Sequence, residues 1–202
     1  MSKLPSELPS EIVRLSWLLG HWEGVGQGQY PNSKNFSFIQ QLEFSNDGRP
    51  FLNYESKTWE LKDDGSAGKP MHSEKGFWRP GEGAAVELVV SHVSGLSEIW
   101  TGLNEVLTID DAKITSARLR MATQWVGRTP TAKPVDTGDR LYGLMNGELM
   151  WTYDMAAMGE ELQNHLWARL KPLDDTEVNQ AKVSGKPVRV HKIPSIPGVK
   201  SD

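Results

Sequence analysis

The sequence predicts an all-β protein, an antiparallel up-and-down β-barrel of about ten strands with a short N-terminal helix. Three observations carry this. Apolar and polar residues alternate with period two, as where Phe36, Phe38, Leu42 and Phe44 interleave with Ser37, Gln41 and Glu43. Turn signals recur at hairpin intervals, at Asn46-Asp47-Gly48, Asp63-Asp64-Gly65, Pro80-Gly81 and Asn146-Gly147. The segment GHWEGVGQGQYP, Gly20 to Pro31, places glycine at alternate positions, as a strand does where another backbone packs close or a barrel wall bends sharply.

Pro9-Ser10 ahead of Ile12, Leu15 and Leu19 predicts a short amphipathic helix with Ser10 as its N-cap, plugging or flanking the barrel. Strands are expected over Trp22 to Tyr30, Phe36 to Phe44, Phe51 to Leu61, Met71 to Arg79 and Ala85 to Val93. Five more are expected over Leu96 to Leu103, Ile114 to Val126, Lys133 to Leu144, Glu148 to Met155 and Glu161 to Leu170. Short hairpin links favour a closed barrel over a sandwich, and closure removes the exposed edges. Trp22 would close one end. Prolines, glycines and charges then interrupt any period, so the chain divides into an N-terminal segment with its helix (1–19), a barrel (20–173) and a flexible polar tail (174–202).

With 202 residues one domain with a sizeable core is expected. A net charge of −4 gives no electrostatic reason for nucleic acid or an anionic membrane as partner. There are no cysteines, which excludes disulfides, thiolate metal sites and cysteine nucleophiles and fits a reducing compartment. The N-terminus, with Glu7 and Glu11 ahead of a very short apolar run, resembles neither a secretory segment nor a membrane span, so a cytoplasmic protein is the expectation.

The glycine segment is not a phosphate cradle, because no apolar helical period follows it and no G-x-x-x-x-G-K-[ST] occurs. No nucleophile elbow, H-E-x-x-H helix or EF-hand loop is present, and no two histidines share metal-chelate spacing. The five histidines, His21, His72, His92, His165 and His191, are scattered, and a lone strand histidine is ordinarily a packed or surface residue. His165 stands apart. It shares a strand face with Gln163, Trp167 and Arg169, opposite Leu162, Leu166, Ala168 and Leu170, and parity leaves open which face is inside. Pointing inward, a single neutral imidazole in an apolar barrel suits the axial position of haem iron better than zinc. Met71, Met155, Met158 and the eight tryptophans are either pocket lining or core, and His72 is either a distal hydrogen-bond donor or a turn residue. Lys133 is either solvated or paired with a ligand carboxylate. These residues stop at a barrel with a haem or lipid cavity.

The chain resembles the nitrobindins, also called peroxynitrite isomerases, whose G-x-W-x-G-x-G is matched by Gly20, Trp22, Gly24 and Gly26. LSWLLGHW, QYP, KPMHSEKGFWR, PTAKPV, LYGLMNGELMWTYDMAAMG and QNHLWARL are similar to family blocks in family order, from about Leu15 to Leu173. The resemblance implies a ten-stranded barrel holding non-covalent haem b. It implies His165 as the axial ligand, Lys133 as a haem contact that would neutralise a propionate, and Met71, His72 and Met155 as pocket residues. The family commonly has threonine after the YP pair as a haem-pocket residue, whereas Asn32 follows Pro31 here, so the resemblance implies Asn32 as a haem-binding residue that keeps a donor with a different reach. The activity implied is binding of nitric oxide and isomerisation of peroxynitrite to nitrate, with His165 and His72 as the catalytic pair, by a monomer or homodimer. Two rivals stand beside it. One is a fatty-acid carrier, for which Arg118, Arg120, Arg140 and Arg169 are possible carboxylate partners, and the other is a haem-based nitric oxide store or sensor without turnover.

Overall fold

The computed structural model of the protein describes residues 8–31 and 33–192. A 3-10 helix, Ser10–Leu18, is followed by β1 (Gly20–Gly28), β2 (Phe36–Ser45), β3 (Leu52–Leu61), β4 (Ala67–Pro80) and β5 (Ala85–His92). The chain continues through β6 (Leu96–Asp110), β7 (Lys113–Arg128), β8 (Val135–Met145), β9 (Glu148–Ala157) and β10 (Gln163–Pro172) to an α-helix, α1 (Asp175–Ser184). Each strand pairs antiparallel with its sequence neighbour, and β1 also pairs with β10, which closes the barrel. The ten-stranded expectation is met, with β4 and β6 longer than the alternation indicated.

The N-terminal helix winds with three residues per turn because its apolar residues, Ile12, Leu15 and Leu18, recur every three positions and eclipse on one face. Ser10 is not its cap: Pro9 takes that position without a side-chain bond, and the Ser10 hydroxyl donates to Glu11 instead, at 3.0 Å. The helix packs on β4, β6 and β7. Three polar contacts fasten it: Trp17 Nε1 donates to Asn104 Oδ1 (3.1 Å), Asn104 Nδ2 to the Arg14 carbonyl (2.8 Å), and Trp22 Nε1 to the Leu18 carbonyl (2.8 Å). Trp22 thus joins helix to barrel at the end that the helix closes.

The glycines of β1 have the role that their spacing predicts. A Cβ at Gly24 would lie 2.1 Å from the Arg169 carbonyl oxygen and one at Gly26 would lie 2.4 Å from that of Trp167, so β10 can approach only a bare backbone there. Gly20 opens the strand at φ +122°, where a side chain would be strained.

The end of the chain departs from the expected tail. Residues 175–184 form α1, which buries none of its side chains and so leaves no apolar period to read. Its signals are at its ends: Asp174 and Glu177 form a reciprocal capping box, and Gly185 stops the helix in the left-handed conformation. Beyond it, residues 186–192 run as a strap over the outer barrel wall. The backbone N–H groups of Val188 and Arg189 donate to the carboxylate of Glu23 at 3.0 and 2.9 Å, and the backbone N–H of His191 donates to the carbonyl of Gly65 at 2.9 Å. Residues 193–202 lie outside the described residues.

Candidate functional site

The helix blocks one end of the barrel, so the cavity opens at the other, among the connections that follow β1, β3, β5, β7 and β9. It has a volume of about 310 Å³. Phe36, Phe38, Leu96, Met155 and Leu166 give it apolar walls, while Tyr54, Glu74, Glu98 and Arg140 make a polar region within it.

Two β-bulges decide which side chains enter. In β10 the register slips between Asn164 and Leu166, so the extra residue, His165, turns to the cavity beside Leu166 instead of keeping the opposite face. In β4 the register slips opposite Thr58 and Trp59, and both Met71 and His72 line the cavity although they are adjacent in sequence. Four residues expected in a pocket, His165, His72, Met71 and Met155, are therefore brought together.

The imidazole of His165 is anchored from behind. Its Nδ1 lies 2.9 Å from the Gln29 carbonyl oxygen, an acceptor, so Nδ1 carries the proton and the Nε2 lone pair is left for a ligand. Gln29 also donates its backbone N–H to the His165 carbonyl, at 2.9 Å. Tyr30 and Tyr153 set ring edges against the imidazole, at centroid distances of 5.2 and 6.0 Å, and the Tyr30 hydroxyl is itself tied to the backbone of Ala157. Burial pushes the pKa of His165 below the ordinary histidine value, which keeps the ring neutral. A neutral, oriented imidazole with a bare nitrogen in an apolar cavity fits a haem iron.

Around the ring of ten strands β10 and β5 are five places apart, so His165 faces the wall formed by β4, β5 and β6. On that wall lies a buried network that the scattered histidines did not disclose. Glu74 accepts from Arg140 Nη1 and Nη2, each at 3.1 Å, and from the Tyr54 hydroxyl. His72 Nε2 lies 3.2 Å from His92 Nδ1, and His92 Nε2 lies 3.1 Å from Glu98 Oε2. Arg140 stacks over Trp100 and Tyr153. Burial raises the pKa of Glu74, but the charges of Arg140 and His92 outweigh it and hold the carboxyl well below the usual range. Glu98 is likewise raised by burial and lowered further by the hydrogen bond from His92 and the charge of Arg140. His72 is pushed down by burial, against the pull of Glu74.

The sequence did carry a signal for this network. Glu74 shares strand parity with Trp78, Glu98 with Trp100, and Arg140 with Tyr142, each a buried aromatic. A charged residue two or four positions from an inward aromatic is a charged residue inside the barrel.

The other expected site residues lie elsewhere. Lys133, expected to begin a strand, is exposed in the connection between β7 and β8, at the open end but outside the cavity lining. Gly20, Trp22, Gly24 and Gly26 belong to the wall and contribute no lining group. Asn32 lies outside the described residues. His72, Glu74 and His92 together present three ligand-type atoms within 4.8 Å of one another, with the Arg140 guanidinium on the same carboxylate.

Comparison with known proteins agrees with the architecture. The model of the "THAP4-like, heme-binding beta-barrel domain" matches residues 11–171. A protein of Nocardioides sp. named "Peroxynitrite isomerase" is 40% identical over 168 residues, covering 83% of this chain and 96% of that protein. A "Ferric nitrobindin-like protein" of Cutibacterium acnes is 38% identical over 171 residues, covering 84% and 97%. The crystal structure of Rv2717c from M. tuberculosis, 36% identical, superposes with a TM-score of 0.76 and covers 83% of this chain and 100% of that one. The ten-strand closure, the inward imidazole and these matches together make the chain a member of the THAP4-like heme-binding β-barrel family, the nitrobindins.

Proposed function

We propose that the protein binds haem b through His165 and isomerises peroxynitrite to nitrate, and that it also binds nitric oxide. The observation that carries this is the placing of His165 and His72 on opposing walls of one cavity, the first with a bare nitrogen and the second beside a buried hydrogen-bond network. Relatives named for peroxynitrite isomerisation support the choice of reaction.

Bound haem would supply a ferric Lewis acid for a peroxynitrite oxygen. The chain does the rest. His165, fixed by Gln29, Tyr30 and Tyr153, holds the cofactor in one orientation. His72 offers an N–H to the anion from across the cavity, stabilising charge that shifts during rearrangement. Phe36, Met71 and Met155 keep water from the reacting fragments. Lys133, in the connection between β7 and β8 at the open end, would neutralise a haem propionate, and Asn32 is kept as a haem contact on the family resemblance alone. The chain's lack of cysteine supports a cytoplasmic setting.

Purified protein mixed with hemin should give a Soret band at one haem per chain. The ferric form should then accelerate peroxynitrite decay, yield nitrate, protect free tyrosine from nitration, and lose these effects with cyanide. Decay no faster than with free hemin defeats the isomerase reading and leaves storage or sensing. The lipid-carrier reading is disfavoured by one observation. Of its four arginines only Arg140 lines the cavity, and both its terminal nitrogens are committed to Glu74.

A further inference from the structure

One part of the cavity wall has no task in the proposed reaction. Glu98 is 1% exposed, and its Oε2 accepts from Trp100 Nε1 at 2.9 Å and lies 3.1 Å from His92 Nε2. The other nitrogen of that imidazole, Nδ1, lies 3.1 Å from Glu74 Oε2 and 3.2 Å from His72 Nε2. An ionised carboxylate can only accept. With a carboxylate oxygen 3.1 Å from each ring nitrogen, a second proton on His92 is matched in charge: Nε2–H donates to Glu98 and Nδ1–H to His72 Nε2, with Glu74 at ion-pair distance from the ring. The buried charges then balance, with Glu74 and Glu98 set against Arg140 and the His92 ring.

That arrangement sets the state of His72. In that state its Nε2 faces a donor and is bare, so the one proton of the neutral ring sits on Nδ1, for which no hydrogen bond is present among the described residues. The groups around the two rings are Tyr54 and Thr58 from β3, Glu74 from β4, Glu98 and Trp100 from β6, Arg140 and Tyr142 from β8, and Tyr153 from β9. Glu74 and Glu98 are their only carboxylates.

We propose that His92 is a positioning and proton-relay residue that acts through His72: a small anion entering the cavity draws the Nδ1 proton of His92 onto His72 Nε2. The His92 Nδ1–H bond breaks and a His72 Nε2–H bond forms. No electron is transferred and no proton leaves the protein. The positive charge moves one ring closer to the anion, while Glu98 keeps the Nε2 proton of His92 and Arg140 still donates to Glu74. The relay itself rests on hydrogen-bond geometry, and only the identity of the anion rests on the proposed function. A divalent cation held by His72, Glu74 and His92 is the rival, and the Arg140 guanidinium 3.1 Å from Glu74 Oε2 opposes it by charge.

The test is ¹⁵N NMR of histidine tautomers in haem-free protein at pH 7. Wild type should show His72 protonated on Nδ1 and bare on Nε2, with both His92 nitrogens protonated. His92→Gln keeps a donor toward His72 and should preserve that tautomer, whereas His92→Phe should let His72 revert to Nε2–H. In the haem-loaded ferric protein, His92→Gln should weaken fluoride binding roughly tenfold with haem retention unchanged, since a charge-assisted hydrogen bond becomes a neutral one. Nε2–H on His72 in wild type overturns the proposal, as does unchanged fluoride affinity in His92→Gln. Micromolar Zn²⁺ that shifts the His72 and His92 signals together overturns it in favour of a metal site. A protein that takes up no haem defeats the proposed function but not the relay, which the haem-free tautomers decide.

Discussion

His165 enters the cavity because β10 carries one residue more than its partner strand at that point, and its nitrogen is free because Gln29 takes the other one. His165→Ala should therefore abolish the Soret band or weaken haem binding by orders of magnitude. His21→Ala and His191→Ala should leave the spectrum intact, since neither lines the cavity. The pH dependence follows from burial. The pKa of His165 lies below the ordinary value near 6.5, so the ring stays a ligand while pH falls through that value. Haem release, measured by Soret absorbance, should therefore be centred below pH 6.5. Release centred at or above 6.5 would contradict the buried, neutral ring.

At the scale of elements, the strap of residues 186–192 depends on one carboxylate. Burial raises the pKa of Glu23, but the hydrogen bonds from His191, Gln41, Val188 and Arg189 outweigh it, so the group stays ionised and acts as an acceptor for all four. Glu23→Leu should free the strap, seen as faster hydrogen exchange at the amides of Val188 and Arg189. Truncation after Leu173 should keep the barrel and its haem but lower Tm by on the order of 5 °C, because hydrogen bonds to a buried charge contribute about 1.5–3 kcal/mol. An unchanged Tm would mean that water replaces the strap without loss. In β1, Gly24→Ala should destabilise by about 1–3 kcal/mol in urea denaturation, since the added methyl meets the β10 backbone and not a side chain that can turn away.

For the whole molecule, the ionised groups inside the barrel make stability a function of acid. His21, His72 and His165 have lowered pKa values when folded, so the unfolded chain binds more protons below about 6.5 and stability is lost there as pH is lowered. Glu74 and Glu98 are depressed carboxyls, whose contribution is present above about 4.3 and is lost as pH drops toward their folded values. The urea midpoint should thus decline in two stages on the acid side. Arg140→Met should remove about 3–5 kcal/mol at pH 7, because the buried carboxylates Glu74 and Glu98 then lack one of their two compensating charges. Adding Glu74→Gln should restore part of that loss, and no restoration would assign the effect of Arg140 to its stacking on Trp100 and Tyr153.

By itself the sequence determined the barrel, its strand count and its glycine-bearing seam, because two-residue alternation, turn residues and bare backbone positions are local properties that neighbours in the chain reveal. It determined the family through motifs in order. Which way His165 points, and that Met71 and His72 share the cavity, were decided only by the bulges in β10 and β4, since one inserted residue reverses every parity argument beyond it. The α1 helix escaped notice because an element that buries nothing has no apolar period, and its capping box was legible only at its ends. The buried network came together for a different reason. Glu74, His92, Glu98 and Arg140 stand on four strands, spread over 67 residues of chain from the first to the last, and only closing the sheet into a ring sets their charges within hydrogen-bond distance of one another.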